Sequence, residues 1–361
     1  MNKIVIMTMQ RINNYGSFLQ AYGLKKMIMG LGYEVEFVDF NIEKSIINEE
    51  KKGLIDKIIR NKNIISFINK KNYLRKTNRL FENSYWPGIG VSEKNYNPNN
   101  IKQLVIGSDE VFNCLQGLPV GYSRELFGKN YESIPVISYA ACFGHTTYEG
   151  LEKYSINNEI SDMLKKFKAI SVRDENSFKI VKKLTNISPV LNLDPALMYN
   201  FNDELIDNVK ISNYILLYAY TGRLTRDEEK EIKKFAKDNN KKIISLGFYQ
   251  KIADYNLIVH PFEILAYFKH ADFIITDTFH GTIFSIKNHS NFCTIVRYGT
   301  IGNNNKLMDL IKRLKLENRI AKDIKDIDLL YKKEINWEIT DSILENERKK
   351  TIDYLKDNLI K

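Results

Sequence analysis

At 361 residues, with 43% apolar and 27% charged residues, the chain has an ordinary globular composition and enough length for two cores. Its formal charge of +10 comes with no helix-turn-helix, zinc-finger or RNP-like pattern and with lysine spread throughout, which argues against a nucleic-acid partner. The opening residues lack the apolar length of a signal peptide, no apolar run approaches a membrane span, and Cys114, Cys142 and Cys293 are scattered without a CxxC pair. A protein of a reducing cytoplasm, with neither structural zinc nor a disulfide framework, is expected.

Taken in chain order, residues 3–8 form a first buried strand and residues 17–30 an amphipathic helix. Between them lies a polar turn, Gln10 to Gly16, where Asn14, Tyr15 and Gly16 stand at the helix start and a glycine lets backbone approach a ligand. It lacks the GxGxxG spacing of a dinucleotide fingerprint. A strand at 34–39 completes a βαβ unit. Over 43–82 the character changes: apolar residues recur at helical spacing among eleven basic and three acidic residues between Lys44 and Arg79. A pair of peripheral helices is expected there, with a basic face suited to anionic lipid as the sharper reading.

Residues 84–100, with Pro87, Gly88, Gly90 and Pro98, read as a loop. Strands at 103–106, 135–141 and 169–172 end in Gly107-Ser108-Asp109, in Cys142 to His145, and in Arg173-Asp174-Glu175. The run 190–193 closes with Asp194-Pro195, read as a domain boundary. A second series follows, with strands at 214–219, 242–246, 271–276 and 291–296 alternating with helices at 225–239, 261–269, 281–287 and 305–314. Such alternation predicts a parallel sheet with right-handed crossovers. A charged amphipathic helix over 340–360 ends the chain.

The fold class expected is therefore α/β, two doubly wound Rossmann-like domains, residues 1–195 and 196–361, facing each other across a cleft. The stretch from His270 to Ile286 carries the clearest chemistry. His280 sits where a buried strand turns into a helix, beside Thr276, Asp277, Thr278 and Gly281, on the sheet edge where ligands collect and helix N–H groups favour anions. An imidazole there can move protons near neutral pH.

The ordered set Asn13-Asn14-Tyr15-Gly16 with LQAYGL, LVIGSDEVFN from Leu104, ISYAACFG from Ile137, SVRDENS from Ser171, LDPALM from Leu193 and DFIITDTFHGTIFSI from Asp272 resembles the polysaccharide pyruvyl transferase family. The resemblance implies a GT-B-like fold, with the acceptor on the N-terminal and the donor on the C-terminal domain. It implies a metal-independent transferase that moves the pyruvyl unit of phosphoenolpyruvate onto a sugar of a cell-surface glycan precursor, with no cofactor beyond that donor substrate. An acceptor lipid-linked or still growing at the cytoplasmic face is expected, with a cytoplasmic enzyme whose basic segment touches the inner membrane peripherally. By the family's motifs His280 is the acid/base and Asp109 a base or acceptor anchor. Arg173 then holds a phosphate or carboxylate, with Asn14, Tyr15, Gly16, Gly107, Ser108, Thr276, Thr278 and Gly281 lining the cleft. Family patterns carry arginine two positions before the histidine, where this chain has Thr278; either another cation replaces it, with Arg297 and Arg11 the candidates, or the donor differs from phosphoenolpyruvate. A GT-B glycosyltransferase using a nucleotide sugar, with Glu263 as ribose ligand, is the alternative, and a saccharide-binding protein without chemistry a third.

Overall fold

Two parallel sheets organise the chain. β1 (Lys3–Met7) pairs with β2 (Glu34–Phe37) on one side and β3 (Ile101–Ile106) on the other, and β3 carries β4 (Val136–Ser138). Parallel bridges from Ile137 to Ala169 and from Ala141 to Val172 attach β5 (Ser171–Val172) and then β6 (Val190–Leu191), for an order 2-1-3-4-5-6. The second sheet holds β7 (Tyr214–Tyr218), β8 (Lys242–Leu246), β9 (Tyr255–Leu257), β10 (Phe273–Thr276), β11 (Phe292–Ile295) and β12 (Ile320–Ala321). Its order is 12-11-10-7-8-9. Ile4, Ile6, Leu104, Ile106, Leu216, Ile274 and Ile275 are fully buried because helices cover both faces of each sheet. This computed structural model describes residues 3–47, 64–96, 98–117, 122–297 and 304–360.

In each sheet the strand order reverses once, between β1 and β3 and between β7 and β10. Crevices open at such points beyond the carboxyl ends of the strands. In this chain the two crevices face one another.

The halves are joined by more than a linker. The helix Tyr15–Met29, begun by Asn14 whose Oδ1 accepts the Ser17 N–H at 2.7 Å, contributes to a core that continues into the second sheet. Phe18 and Tyr22 meet Phe262 with ring centroids 5.6 and 4.8 Å apart. The Tyr15 hydroxyl donates to the Val259 carbonyl at 3.0 Å and accepts the Val259 N–H at 3.1 Å. Tyr85 donates to the same carbonyl at 3.1 Å.

Several expectations change. Residues 84–88, read as the start of a loop, are helical: they belong to the π-helix Phe81–Tyr85 and to the short helix Trp86–Gly88 that continues it, and Phe81, Tyr85 and Trp86 are buried. The last helix, Glu338–Asn358, was assigned to the second domain but returns to the first. Tyr354 donates to the Ser138 carbonyl at 2.7 Å, and Gln103 Nε2 to the Asn358 carbonyl at 2.9 Å. Of the basic stretch over 43–82, residues 48–63 lie outside the described residues, and the remainder contains one helix, Ile64–Leu80. Strand β9 and the helices Tyr148–Lys153, Asn157–Leu164 and Glu175–Thr185 are additional.

The bonds to Val259 predict an ordered pair of effects. Tyr15→Phe leaves the buried Val259 N–H unpartnered and should lower stability by about 1–2 kcal/mol. Tyr85→Phe leaves the Val259 carbonyl still bonded to Tyr15 and should cost less. Equal shifts in urea unfolding midpoint would sink this account of how the halves are held.

Candidate active site

Three helix N-termini converge where the crevices meet. The first turn of Tyr15–Met29 carries Ser17, whose hydroxyl donates to Asp109 Oδ2 at 3.1 Å. Asp174 caps Glu175–Thr185 through the Ser177 N–H at 2.8 Å, with Arg173 immediately before it. Thr278 caps Phe279–Lys287 through the Gly281 N–H at 2.8 Å, with His280 in the first turn. The positive ends of three helix dipoles therefore bear on one region.

At its centre the Arg173 guanidinium, with its side chain only 1% exposed, donates to Asp194 Oδ2 at 2.6 Å and lies 3.4 Å from Asp109 Oδ1. Its flat face lies over the Phe279 ring at 4.3 Å. Asp194 is fully buried, and its Oδ1 accepts the Ala196 N–H at 2.9 Å while Oδ2 stands 3.7 Å from His280 Nε2. That separation is an ion-pair distance rather than a hydrogen bond. Burial alone would raise the Asp194 carboxyl, but the facing imidazole and guanidinium hold it below the usual carboxylate range.

The opposite flank of the imidazole explains Gly16. A Cβ there would come within 2.2 Å of His280 Nδ1, so only glycine lets the two domains place the ring against this backbone. Gly107 is similarly forced: its φ is +121°, and a Cβ would strike the Tyr139 carbonyl at 2.2 Å.

Two further cations arrive from the second domain. Lys306 forms an ion pair with Glu110 and lies 5.6 Å from the centre of the Phe279 ring, which thus has two cations near it. Lys306 and Arg173 pull the Glu110 carboxyl down to about 2 against the opposing effect of burial. Arg223 stacks on the Tyr220 ring at 4.2 Å, and its Nη1 is buried without a hydrogen-bond partner among the described residues.

His280, Asp109, Arg173, Gly16 and Ser108 are thus brought together, and the roles expected of other residues change. Arg173 is not an open cation, because two carboxylates hold its Nη groups. Tyr15 and Ser108 are buried, with hydroxyls committed to Val259 and to the Ala140 carbonyl (2.9 Å). The Thr276 hydroxyl donates to the Tyr218 carbonyl at 2.7 Å, Thr278 is the helix cap just described, and Asn14 caps its own helix. Neither expected replacement cation is open: Arg11 grips both oxygens of Asp39 at 2.6 and 2.8 Å, and Arg297 lies 2.6 Å from Glu228 and 3.3 Å from Asp277. Glu263 Oε2 faces the His260 N–H at 3.4 Å. Asp194, Lys306 and Arg223 were missed. Asp194-Pro195 reads as a boundary, yet LDPALM had pointed to it as part of the recurring set. Among the described residues no cluster of His, Cys, Asp and Glu could hold a metal ion.

At the ends of β1 and β2 a cavity of about 620 Å³ is lined by apolar Met9, Ile12, Phe40, Ile42 and Tyr96 and by polar Gln10, Arg11, Asp39 and Lys94, together with Asn13, three residues before Gly16.

The sequence profile of the polysaccharide pyruvyl transferase family matches residues 14–297. The chain belongs to that family. No curated protein sequence matches it significantly. Among solved structures it is similar to the UDP-GlcNAc 2-epimerase of Methanocaldococcus jannaschii. The identity is 12%, coverage is 97% of this chain and 99% of that one, and the TM-score is 0.52. The same enzyme in complex with UDP-GlcNAc and UDP gives 12%, 97%, 99% and 0.51. The glycotransferase of kitacinnamycin is 8% identical, covering 99% of both chains, with a TM-score of 0.48. At 12% identity the likeness to the epimerase concerns fold alone, two Rossmann-like domains in the GT-B arrangement.

The carboxylates make acid a probe of this family member's site. Asp194 and Glu110 bind fewer protons folded than unfolded, so their stabilisation is complete at neutral pH and is lost as pH falls through the folded values. Glu110→Gln should flatten the stability profile between pH 4.5 and about 2. Asp194→Asn should cost about 3–5 kcal/mol at pH 7, because the buried Arg173 charge loses its closest partner. Urea unfolding at a series of pH values checks both; an Asp194→Asn protein as stable as the parent would contradict the pairing.

Proposed function

We propose that this transferase moves the pyruvyl unit of phosphoenolpyruvate onto a sugar of a polysaccharide precursor, with His280 as the proton-transferring group. The observation that carries this reading is the imidazole held between Gly16 and Asp194 where both crevices meet, in a chain belonging to the pyruvyl transferase family. His280 Nε2 stands 3.7 Å from the buried Asp194 carboxylate, which orients the imidazole for proton transfer.

A proton from His280 adds to the methylene carbon of the donor, making a methyl group and leaving an oxocarbenium-like centre at the adjoining carbon. A sugar hydroxyl attacks that carbon and loses its proton to Asp109. The carbon–oxygen bond to phosphate then breaks, phosphate leaves with the proton held by Asp109, and a second hydroxyl closes the ketal, its proton restoring His280. Donor phosphate and carboxylate need cations and N–H groups, for which Lys306, Arg223 and the start of Phe279–Lys287 are available. Lys306 would exchange Glu110 for the donor. Arg173 acts by positioning Asp109 and Asp194. The acceptor would approach from the cavity beside Asn13, whose aromatic walls suit a sugar face and whose polar residues suit its hydroxyls.

A nucleotide sugar is the second reading, favoured by Tyr220 and Phe248, with ring centroids 4.7 Å apart beside Arg223, which offer a surface for a base.

Incubation with phosphoenolpyruvate and a panel of glycan acceptors should release phosphate and add one pyruvate less one water to the acceptor. His280→Ala should lower turnover by about 10²–10⁴-fold with little change in melting temperature. Gly16→Ala should lower kcat by displacing the ring, and Lys306→Met should raise the donor KM, with Lys306→Arg restoring part of it. Turnover with a nucleotide sugar and none with phosphoenolpyruvate would overturn the proposal.

A further inference from the structure

The helix Ile64–Leu80 lies outside both sheets and has two unlike faces. Positions 66, 70, 73, 77 and 80 are buried or half-buried. On that face Tyr73 donates to the Leu257 carbonyl at 3.0 Å, and its ring lies 6.1 Å from that of Tyr249. Positions 67, 68, 71, 74, 75 and 78 form the opposite face and are all exposed.

The outer face of a surface helix is normally polar. Here it presents Phe67, Ile68 and Leu74, which are 49%, 50% and 41% exposed. Lys71 and Arg75 share this face, the exposed Lys76 and Arg79 and the half-buried Lys70 lie outside it, and there is no acidic residue anywhere in the helix. None of the five cations forms an ion pair among the described residues. Large apolar side chains among unpaired cations of one sign, on a face turned away from the core, are the pattern of a helix lying in a membrane interface.

We propose that this face docks the protein onto an anionic lipid surface. Phe67, Ile68 and Leu74 enter the boundary between headgroups and acyl chains, and the lysines and arginines meet lipid phosphates. A uniformly negative surface matches a charge of one sign spread along the whole helix better than a protein interface, in which both signs alternate. Among the described residues no helix is long and apolar enough to cross a membrane. The inference is independent of which donor the active site uses.

Flotation of the full chain with phosphatidylcholine vesicles, and with vesicles mixed with phosphatidylglycerol, tests it. Binding is expected to the mixed vesicles only and to weaken as salt is raised. The double variant Lys71→Glu, Arg75→Glu should bind at least about tenfold more weakly. Phe67→Ser with Leu74→Ser should remove the binding that survives high salt. All four positions are exposed, so each protein should melt like the parent. Equal binding to neutral vesicles, or variants that bind like the parent, would overturn the proposal. So would a concentration-dependent dimer that the serine variant dissociates, which would make this face an interface between copies of the chain.

Discussion

A guanidinium buried at the centre of the molecule sets the terms for everything around it. Arg173 cannot lose its charge, and an unpaired charge at 1% exposure would cost many kilocalories, so carboxylates must accompany it into the interior. Asp194 and Asp109 do so from two other strand ends of the same sheet. Asp194 in turn faces His280 from the second sheet, so one buried charge fixes the approach of the two halves. Phe279 closes the arrangement, with Arg173 on its ring and Lys306 nearby.

This network depends on topology before chemistry. Each sheet reverses its order once, next to its first strand, and the loops at those points are the ones that meet. The helix Tyr15–Met29 serves both halves: it follows β1, lends its N-terminus to the site, and buries Phe18 and Tyr22 against the second sheet. Tyr15 and Tyr85 then tie it to Val259 by hydroxyl bonds to one peptide. With so continuous a core between the sheets, the site is preorganised more by packing than by closure of separate domains.

Thr278, standing where the family resemblance implies an arginine, has a structural task of its own. Its hydroxyl caps the helix that carries His280, a task for which serine, threonine, asparagine and aspartate are suited and arginine is not. The cations of the region come instead from Arg223, in the loop after β7, and from Lys306, more than twenty residues beyond the histidine. The donor-binding charge, on the proposed reading, has been redistributed rather than lost.

The alternation of short apolar strands with amphipathic helices was legible in the residues alone, because burial on both faces of a parallel sheet demands continuous apolar runs. So were His280, Asp109 and Gly16, since strand ends with glycine and a titratable group mark the ligand edge of such sheets. Other features were invisible there. That Tyr15 and Thr276 turn their hydroxyls inward, that Arg11 and Arg297 are already paired, and that the last helix returns to the first sheet are matters of distance between residues far apart in the chain. Asp194 shows the division best. By itself Asp-Pro reads as a bend between domains, and only the folded chain puts that carboxylate 2.6 Å from a guanidinium and opposite an imidazole. Local pattern determined the elements and the edge on which chemistry would lie; tertiary structure decided which charges meet, because pairing is a property of space and not of sequence.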